Sequence, residues 1–261
     1  MAFPSCKMLV QLCLTFCFAF PAGTHAQYNA DPQPLPDLFN ITVDDIVAGF
    51  DAQDFTSVDL ARAYIARISE VQGALRPVVE INPEALEIAS ALDDERLVHN
   101  TTRGPLHGVP VLLKDNIGTL DQMNTTAGSY ALYGSIVPRD STVARNLRAA
   151  GAVILGKVGM SEWAYNRGIL PDGWSARGGQ VRGAYVENQD PTGSSSGSGV
   201  AASLGLAALT VGSDTGGSIL APAGMTLPTH VVCTVRLLTE FCVLRRSQRR
   251  RGHTTLHGLG Q

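Results

Sequence analysis

The chain has 261 residues, 44% of them hydrophobic, with 27 glycines and a formal net charge of −3. That length and apolar content suffice for one large core or two small ones. Between Gln27 and Gly224 it holds 13 basic against 22 acidic residues, and so acidic a body excludes a surface that attracts nucleic acid.

In chain order, the first segment reads as a secretory leader. Lys7 flanks the apolar run MLVQLCLTFCFAF, which is too short to span a bilayer, and THA before Gln27 has the small residues of a cleavage site. Residues 1–26 are therefore expected to be a signal peptide and the product secreted, with no stable membrane span after its removal. An uncleaved membrane anchor is the alternative. Cys6, Cys13 and Cys17, three of the five cysteines, leave with the leader, so a packed core has to hold the body together. Sequons at Asn40, Asn100 and Asn124 fit a secreted glycoprotein.

Residues 27–41, rich in Pro, Asp and Asn, read as an extended lead-in. Thr42 caps a helix whose Val43, Ile46, Val47 and Phe50 repeat at helical spacing. Thr56 and Asp59 form a capping-box pattern ahead of Leu60, Tyr64, Ile68 and Val71. Asn82-Pro83 opens a third helix. At HGVPVLLK the pattern changes. Val109–Leu113 is an unbroken apolar run ended by Lys114, as expected of a strand buried on both faces. Asp140 caps STVARNLRAA, Gly151 ends it, and AVILG follows as a second strand. Ser196 or Ser198 caps GVAASLG, Gly205 stops it, and AALTVG is a third strand. Alternating strand and helix imply an α/β core with a mixed, mostly parallel sheet covered by helices.

Two Gly/Ser clusters, GSSSGSG at 193–199 and SDTGGS at 213–218, bracket that last helix and strand. A linker does not join capped helices to buried strands. A phosphate loop requires G-x-x-x-x-G-K-[ST], which neither cluster has. The third reading is a serine nucleophile with its activators. A serine hydroxyl needs a base, and a lysine kept neutral by burial is the candidate other than histidine. Read singly, Lys114 is a strand-end lysine in water, Ser194 a turn serine, and Gly216 and Gly217 a tight turn. Asp214 reads as orienting that turn, Asp115 and Asn116 as ordering the loop after Lys114, and His107 as structural. No His/Cys/Asp/Glu group has metal-ligand spacing, and no cofactor is implied.

GPLHGVPVLLKDNIGT, STVARNLRAAGAVILGKVGMSEWA and GSSSGSGVAASLGLAALTVGSDTGGSI, in that order, resemble the blocks of the amidase signature family. The resemblance runs from about Thr42 to Ala223. It implies a mixed α/β fold and hydrolysis of a small-molecule carboxylic amide through a seryl acyl-enzyme, with a Ser–cis-Ser–Lys triad. By resemblance Lys114 is the base and Ser218 the nucleophile. The bridging serine, 24 residues before the nucleophile in the family's spacing, is Ser194. The N–H groups of Thr215, Gly216, Gly217 and Ser218 resemble the oxyanion hole. The family's Ser-Ile-Arg is here Ser218-Ile219-Leu220, without the arginine that ties the loop.

The family's domain continues beyond Ala223, whereas 224–261 reads as a non-family, Arg-rich tail, including RRSQRRR. Such a charge block is expected to stay solvated, and the tail not to pack as a strand layer. Residues 42–223 are thus expected to be the N-terminal part of an amidase domain, with little or no activity when expressed alone. The alternative is a catalytically inactive, truncated amidase-like secreted glycoprotein or a gene-model fragment. The amidotransferase subunit that acts on charged tRNA is disfavoured by the leader and the acidic body.

Overall fold

The computed structural model describes residues 35–225, together with the backbone of Thr229–Arg236 and Thr239–Arg246. The expected leader, most of the lead-in and the arginines beyond Arg246 lie outside the described residues.

The first two helices begin where the cap patterns place them. α1 (Val43–Ala52) starts at Thr42, whose hydroxyl accepts from Asp45 N while the Asp45 carboxylate accepts from Thr42 N. α2 (Ser57–Leu75) repeats this at Thr56 and Asp59. Reciprocal capping satisfies donors that a helix end leaves unpaired. A short strand without a sequence signal, β1 (Val78–Ile81), comes next. α3 (Ala85–Leu97) starts later than Pro83. Asn82 instead accepts from Glu84 N and donates to Ile154 O.

β2 (Pro110–Lys114) is buried at every position. α4 (Thr142–Ala149) is capped by Ser141, not by Asp140. Asp140 accepts from Leu120 N and pairs with Arg148, so its carboxylate is committed elsewhere. β3 (Val153–Val158) is likewise buried throughout. A small hairpin follows, β4 (Trp174–Ser175) and β5 (Gly179–Gln180). α5 (Ser196–Leu204) begins earlier than expected, with Ser195 at the cap position. Neither expected cap serine caps it: Ser196 Oγ donates to Thr192 O and Ser198 Oγ to Val211 O. Gly205 does end it, at φ 61°. β6 (Leu209–Asp214) and α6 (Leu220–Met225) complete the family-like stretch.

The six-stranded sheet has the order β1-β3-β2-β6-β8-β7, where β7 is Thr229–Arg236 and β8 is Thr239–Arg246. Its centre is parallel, β2 lying between β3 and β6, and the outer strands are antiparallel. The expectation that the tail would not form a strand layer is therefore corrected for 229–246. β6 would otherwise present an unpaired edge, and THVVCTVR, rich in Val and Thr, and TEFCVLRR, with Thr, Phe and Val, suit a pleated partner. α6 also crosses the expected boundary at Ala223.

Successive residues of the central strands feed opposite cores. Leu112, Val153 and Leu155 pack with α1–α3, whereas Val111, Leu113 and Ile154 pack with Ala144 of α4. This explains the unbroken apolar runs: each face of the sheet is covered.

Candidate active site

Parallel neighbours β2 and β6 end on the same side of the sheet, and such carboxyl ends are where open α/β sheets place their sites. Lys114 is the last residue of β2 and Asp214 the last of β6. Lys114 is 0% exposed. Its Nζ donates to Ser194 Oγ at 2.7 Å, Ser195 Oγ at 2.9 Å and Ser213 O at 3.0 Å. Burial pushes the amine down from 10.5 to about 7, against the pull of the Asp214 carboxylate. A lysine so placed holds a large neutral fraction near neutral pH and can accept a proton.

Ser194 and Ser195 lie just ahead of α5, and the Gly193–Ser194 peptide is cis. Ser194 O accepts from Ser161 N at 3.2 Å. A side chain on Gly193 would run into Tyr165 Oη and Ser161 Oγ, which are hydrogen-bonded to each other, so it would have to displace that pair. Ser195 Oγ donates to Ser213 O at 3.1 Å, and its N–H to Ser218 O at 3.0 Å. Of the three expected triad residues, the structure thus brings Lys114 and Ser194 into direct contact. Ser218 is not in hydrogen-bond contact with either of them; its main-chain oxygen accepts from the N–H of Ser195, the neighbour of Ser194, at 3.0 Å. The half-buried Ser218 hydroxyl makes no hydrogen bond among the described residues.

The glycine loop does not present a set of free donors. Asp214 Oδ1 accepts from Gly216 N at 2.7 Å and Gly217 N at 2.6 Å, and Oδ2 from Ile219 N at 2.7 Å. Burial works against this carboxylate, but backbone N–H groups from Gly216 to Ile219 outweigh it and hold it below the ordinary carboxylate range. Asp214 therefore orients the turn, as read from the sequence, using N–H groups expected to serve an oxyanion. Thr215 and Gly216 are exposed, and Gly217 sits at φ 101°, which suits glycine.

Asp115 and Asn116 order the loop after Lys114. Asn116 Nδ2 donates to Ser213 Oγ at 2.9 Å. Asp115, 0% exposed, accepts from Thr126 Oγ1, from Gly128 N at 2.8 Å and from Arg177 Nη1 at 3.1 Å. Arg177 also pairs with Glu80 of β1. Beside them Lys157 is fully buried and donates to Ile117 O and Thr125 Oγ1, its amine pushed down to about 8 by burial. Sequence reasoning missed Arg177, Glu80, Lys157, Ser161 and Tyr165, because no local pattern marks them. His107 is buried, with Nε2 2.8 Å from Leu92 O and Nδ1 accepting from Arg103 N. That is a structural role.

Among the described residues no group of three or more His, Cys, Asp or Glu could hold a metal ion, and no helix is long and apolar enough to cross a membrane. Asn40 and Asn100 are exposed. Asn124 is half-buried, and its Nδ2 donates to Glu80 Oε1 at 3.1 Å.

Residues 59–227 match the family model named Amidase. A protein of Arthroderma benhamiae bearing the name amidase is 46% identical over 259 residues, covering 89% of this chain and 43% of its own length. The native peptide amidase of Stenotrophomonas maltophilia is 40% identical with a TM-score of 0.72, over 79% of this chain and 45% of that one. A peptide amidase structure with the competitive inhibitor chymostatin gives 41% and 0.72 over the same shares. A glutamyl-tRNA(Gln) amidotransferase subunit of Symbiobacterium thermophilum is 40% identical over 68% of this chain and 36% of its own length. The chain spans less than half the length of these relatives.

Proposed function

The chain belongs to the amidase family, and from that premise we propose that its site hydrolyses a carboxylic amide through an acyl-enzyme on Ser218. Neutral Lys114 takes a proton from Ser194, which takes one from Ser218 as the Ser218 oxygen attacks the amide carbonyl. Ser194 returns the proton to the departing amine, and water releases the acid from Ser218. N–H groups from Thr215 to Ser218 would receive the oxyanion once Asp214 yields them. The observation that carries the reading is the fully buried Lys114 amine 2.7 Å from Ser194 Oγ. The peptide amidases among the similar structures make a peptide carboxamide the substrate class to test first. A protein carrying this chain extended to the length of these relatives should release ammonia from such a peptide, where the 261-residue chain alone is expected to show little or none, and Ser218→Ala in the extended protein should reduce the rate by ~10³-fold or more. Equal release by the variant sinks the assignment of Ser218.

A second reading, an amidase-like protein that binds without turnover, is favoured by two observations. Asp214 holds the loop donors, and Leu220 stands where the family pattern has arginine. Carboxamide binding with no ammonia release by the extended protein would establish it.

We also propose that the protein is secreted, with cleavage before Gln27 and glycans at Asn40 and Asn100. Asn124 should stay unmodified, since it is half-buried with its Nδ2 against Glu80 beside the Arg177 ion pair, whereas Asn100 and Asn40, the latter bonded to its near neighbour Asp37, are exposed. Glycosidase treatment in heavy-oxygen water followed by peptide mass spectrometry should mark Asn40 and Asn100 and spare Asn124. A mark at Asn124, or an intact Met1 on the exported product, contradicts these assignments.

A further inference from the structure

Arg177 lies on the turn between β4 and β5, 62 residues from Asp115 and 97 from Glu80. Its side chain is only 7% exposed. One guanidinium nitrogen donates to Asp115 Oδ1 at 3.1 Å and Thr126 Oγ1 at 3.2 Å, and the other to Glu80. Its backbone N–H donates to Gly128 O at 2.9 Å, and its planar head lies 5.5 Å from the centre of the Tyr133 ring. Glu80 in turn accepts from Asn124 N and Nδ2, each at 3.1 Å. A single side chain therefore joins β1, the end of β2 and the 124–128 loop. Removing one partner from a buried ion pair leaves the other charge uncompensated, and the structure shifts or takes in water to relieve it. Here the stranded carboxylate would be Asp115, the residue that follows Lys114.

We propose that Arg177 is a positioning residue for Lys114: by bridging Asp115 and Glu80 it keeps the end of β2 in place, so that the Lys114 amine stays against Ser194 and out of water. This rests on the reading of Lys114 as the base. Lysine in place of Arg177 keeps the charge but not the planar fork that spans two carboxylates. Charge and geometry can therefore be separated.

The test follows the Lys114 amine itself, by a nitrogen NMR titration of the 261-residue protein labelled at lysine, with the signal assigned by its loss in Lys114→Met. Asp214 is the carboxylate that faces Lys114, while Asp115, Asp121 and Glu80 face Lys157, so both lysines are followed. Arg177→Met and Arg177→Lys are each expected to raise the Lys114 midpoint by about one pH unit or more as water reaches the amine. Glu80→Gln is expected to raise it too, whereas loss of a negative charge acting directly would lower it. Arg177→Lys titrating like the wild type, or Glu80→Gln moving the midpoint down, overturns the proposal. If Arg177→Met fails to fold, the other two variants decide. A wild-type Lys114 titrating as an ordinary lysine overturns this proposal together with the base assignment. A wild-type midpoint near the depressed value, where the extended protein cleaves no amide, sinks the proposed function alone.

Discussion

Replacing Lys114 with methionine is expected to abolish amide hydrolysis by the chain extended to its relatives' length and, at neutral pH, to make the 261-residue protein more resistant to heat. The loss follows from the proton path, since no other amine contacts Ser194 among the described residues. It should be ~10³-fold or more, in the range of a positioned general base. The gain follows from burial. The folded lysine gives up its proton near 7, whereas an unfolded one keeps it to about 10.5. Between these values the unfolded chain binds more protons, so wild-type stability rises with pH across that window. Below it the cost of burying a charge is fully present. Methionine, similar in length and without charge, removes that cost, and the melting temperature should rise by on the order of a few degrees at the low end of the window. The advantage should shrink toward the upper end. Thermal melts of both proteins across the window test this. Parallel curves, or a variant less stable at every pH, would show that Lys114 is not held neutral by burial.

The largest loss of stability is expected from Gly197→Ala. This glycine lies in the first turn of α5, where its N–H donates to Gly159 O at 2.9 Å. An added Cβ would sit 2.5 Å from Gly159 N, 2.5 Å from Gly159 O and 2.6 Å from Pro77 O. All three are main-chain atoms, so no rotamer change relieves the overlap. α5 would have to lift from the end of β3, taking Ser194 and Ser195 with it. The cost should be roughly 3 kcal/mol or more, on the overpacking scale. Gly73→Ala in α2, where nothing lies within 4 Å of the added carbon, should instead stabilise by roughly 0.5–1 kcal/mol. Urea unfolding of the two variants beside the wild type gives both signs. A Gly197→Ala protein as stable as its parent would mean that the close approach of α5 is not required.

Much of this arrangement is local, and local patterns are readable. Thr42 with Asp45 and Thr56 with Asp59 satisfy helix ends within three residues, so both starts are visible in the sequence. The three inner strands show as unbroken apolar runs because both faces of the sheet are covered. Lys114 and Ser194 are found through family spacing, since nothing local tells a buried strand-end lysine from an exposed one. Arg177 is invisible for a different reason. Its partners are 62 and 97 residues away, and an arginine in a glycine-rich turn looks like a solvated one until the fold closes over it. β1 is four residues long and only its first is buried, too brief for an alternation to register. The hairpin of β7 and β8 is obscured by the arginines at its end, whose charge masks the valines before them.

Asp214 gives the resting loop an occupant of its own. The N–H groups that would receive charge in the proposed reaction already hold a carboxylate, at 2.6 to 2.7 Å for Gly216 and Gly217. A neutral amide carbonyl is a weaker acceptor than that carboxylate and is a poor rival for it. The tetrahedral oxyanion carries a full charge and can compete. The loop would then ignore the substrate as it arrives and respond to it only as it reacts, discriminating by charge state more than by shape. Small free anions, which are not tethered to Ser218 as the oxyanion is, should find little purchase there against the same carboxylate.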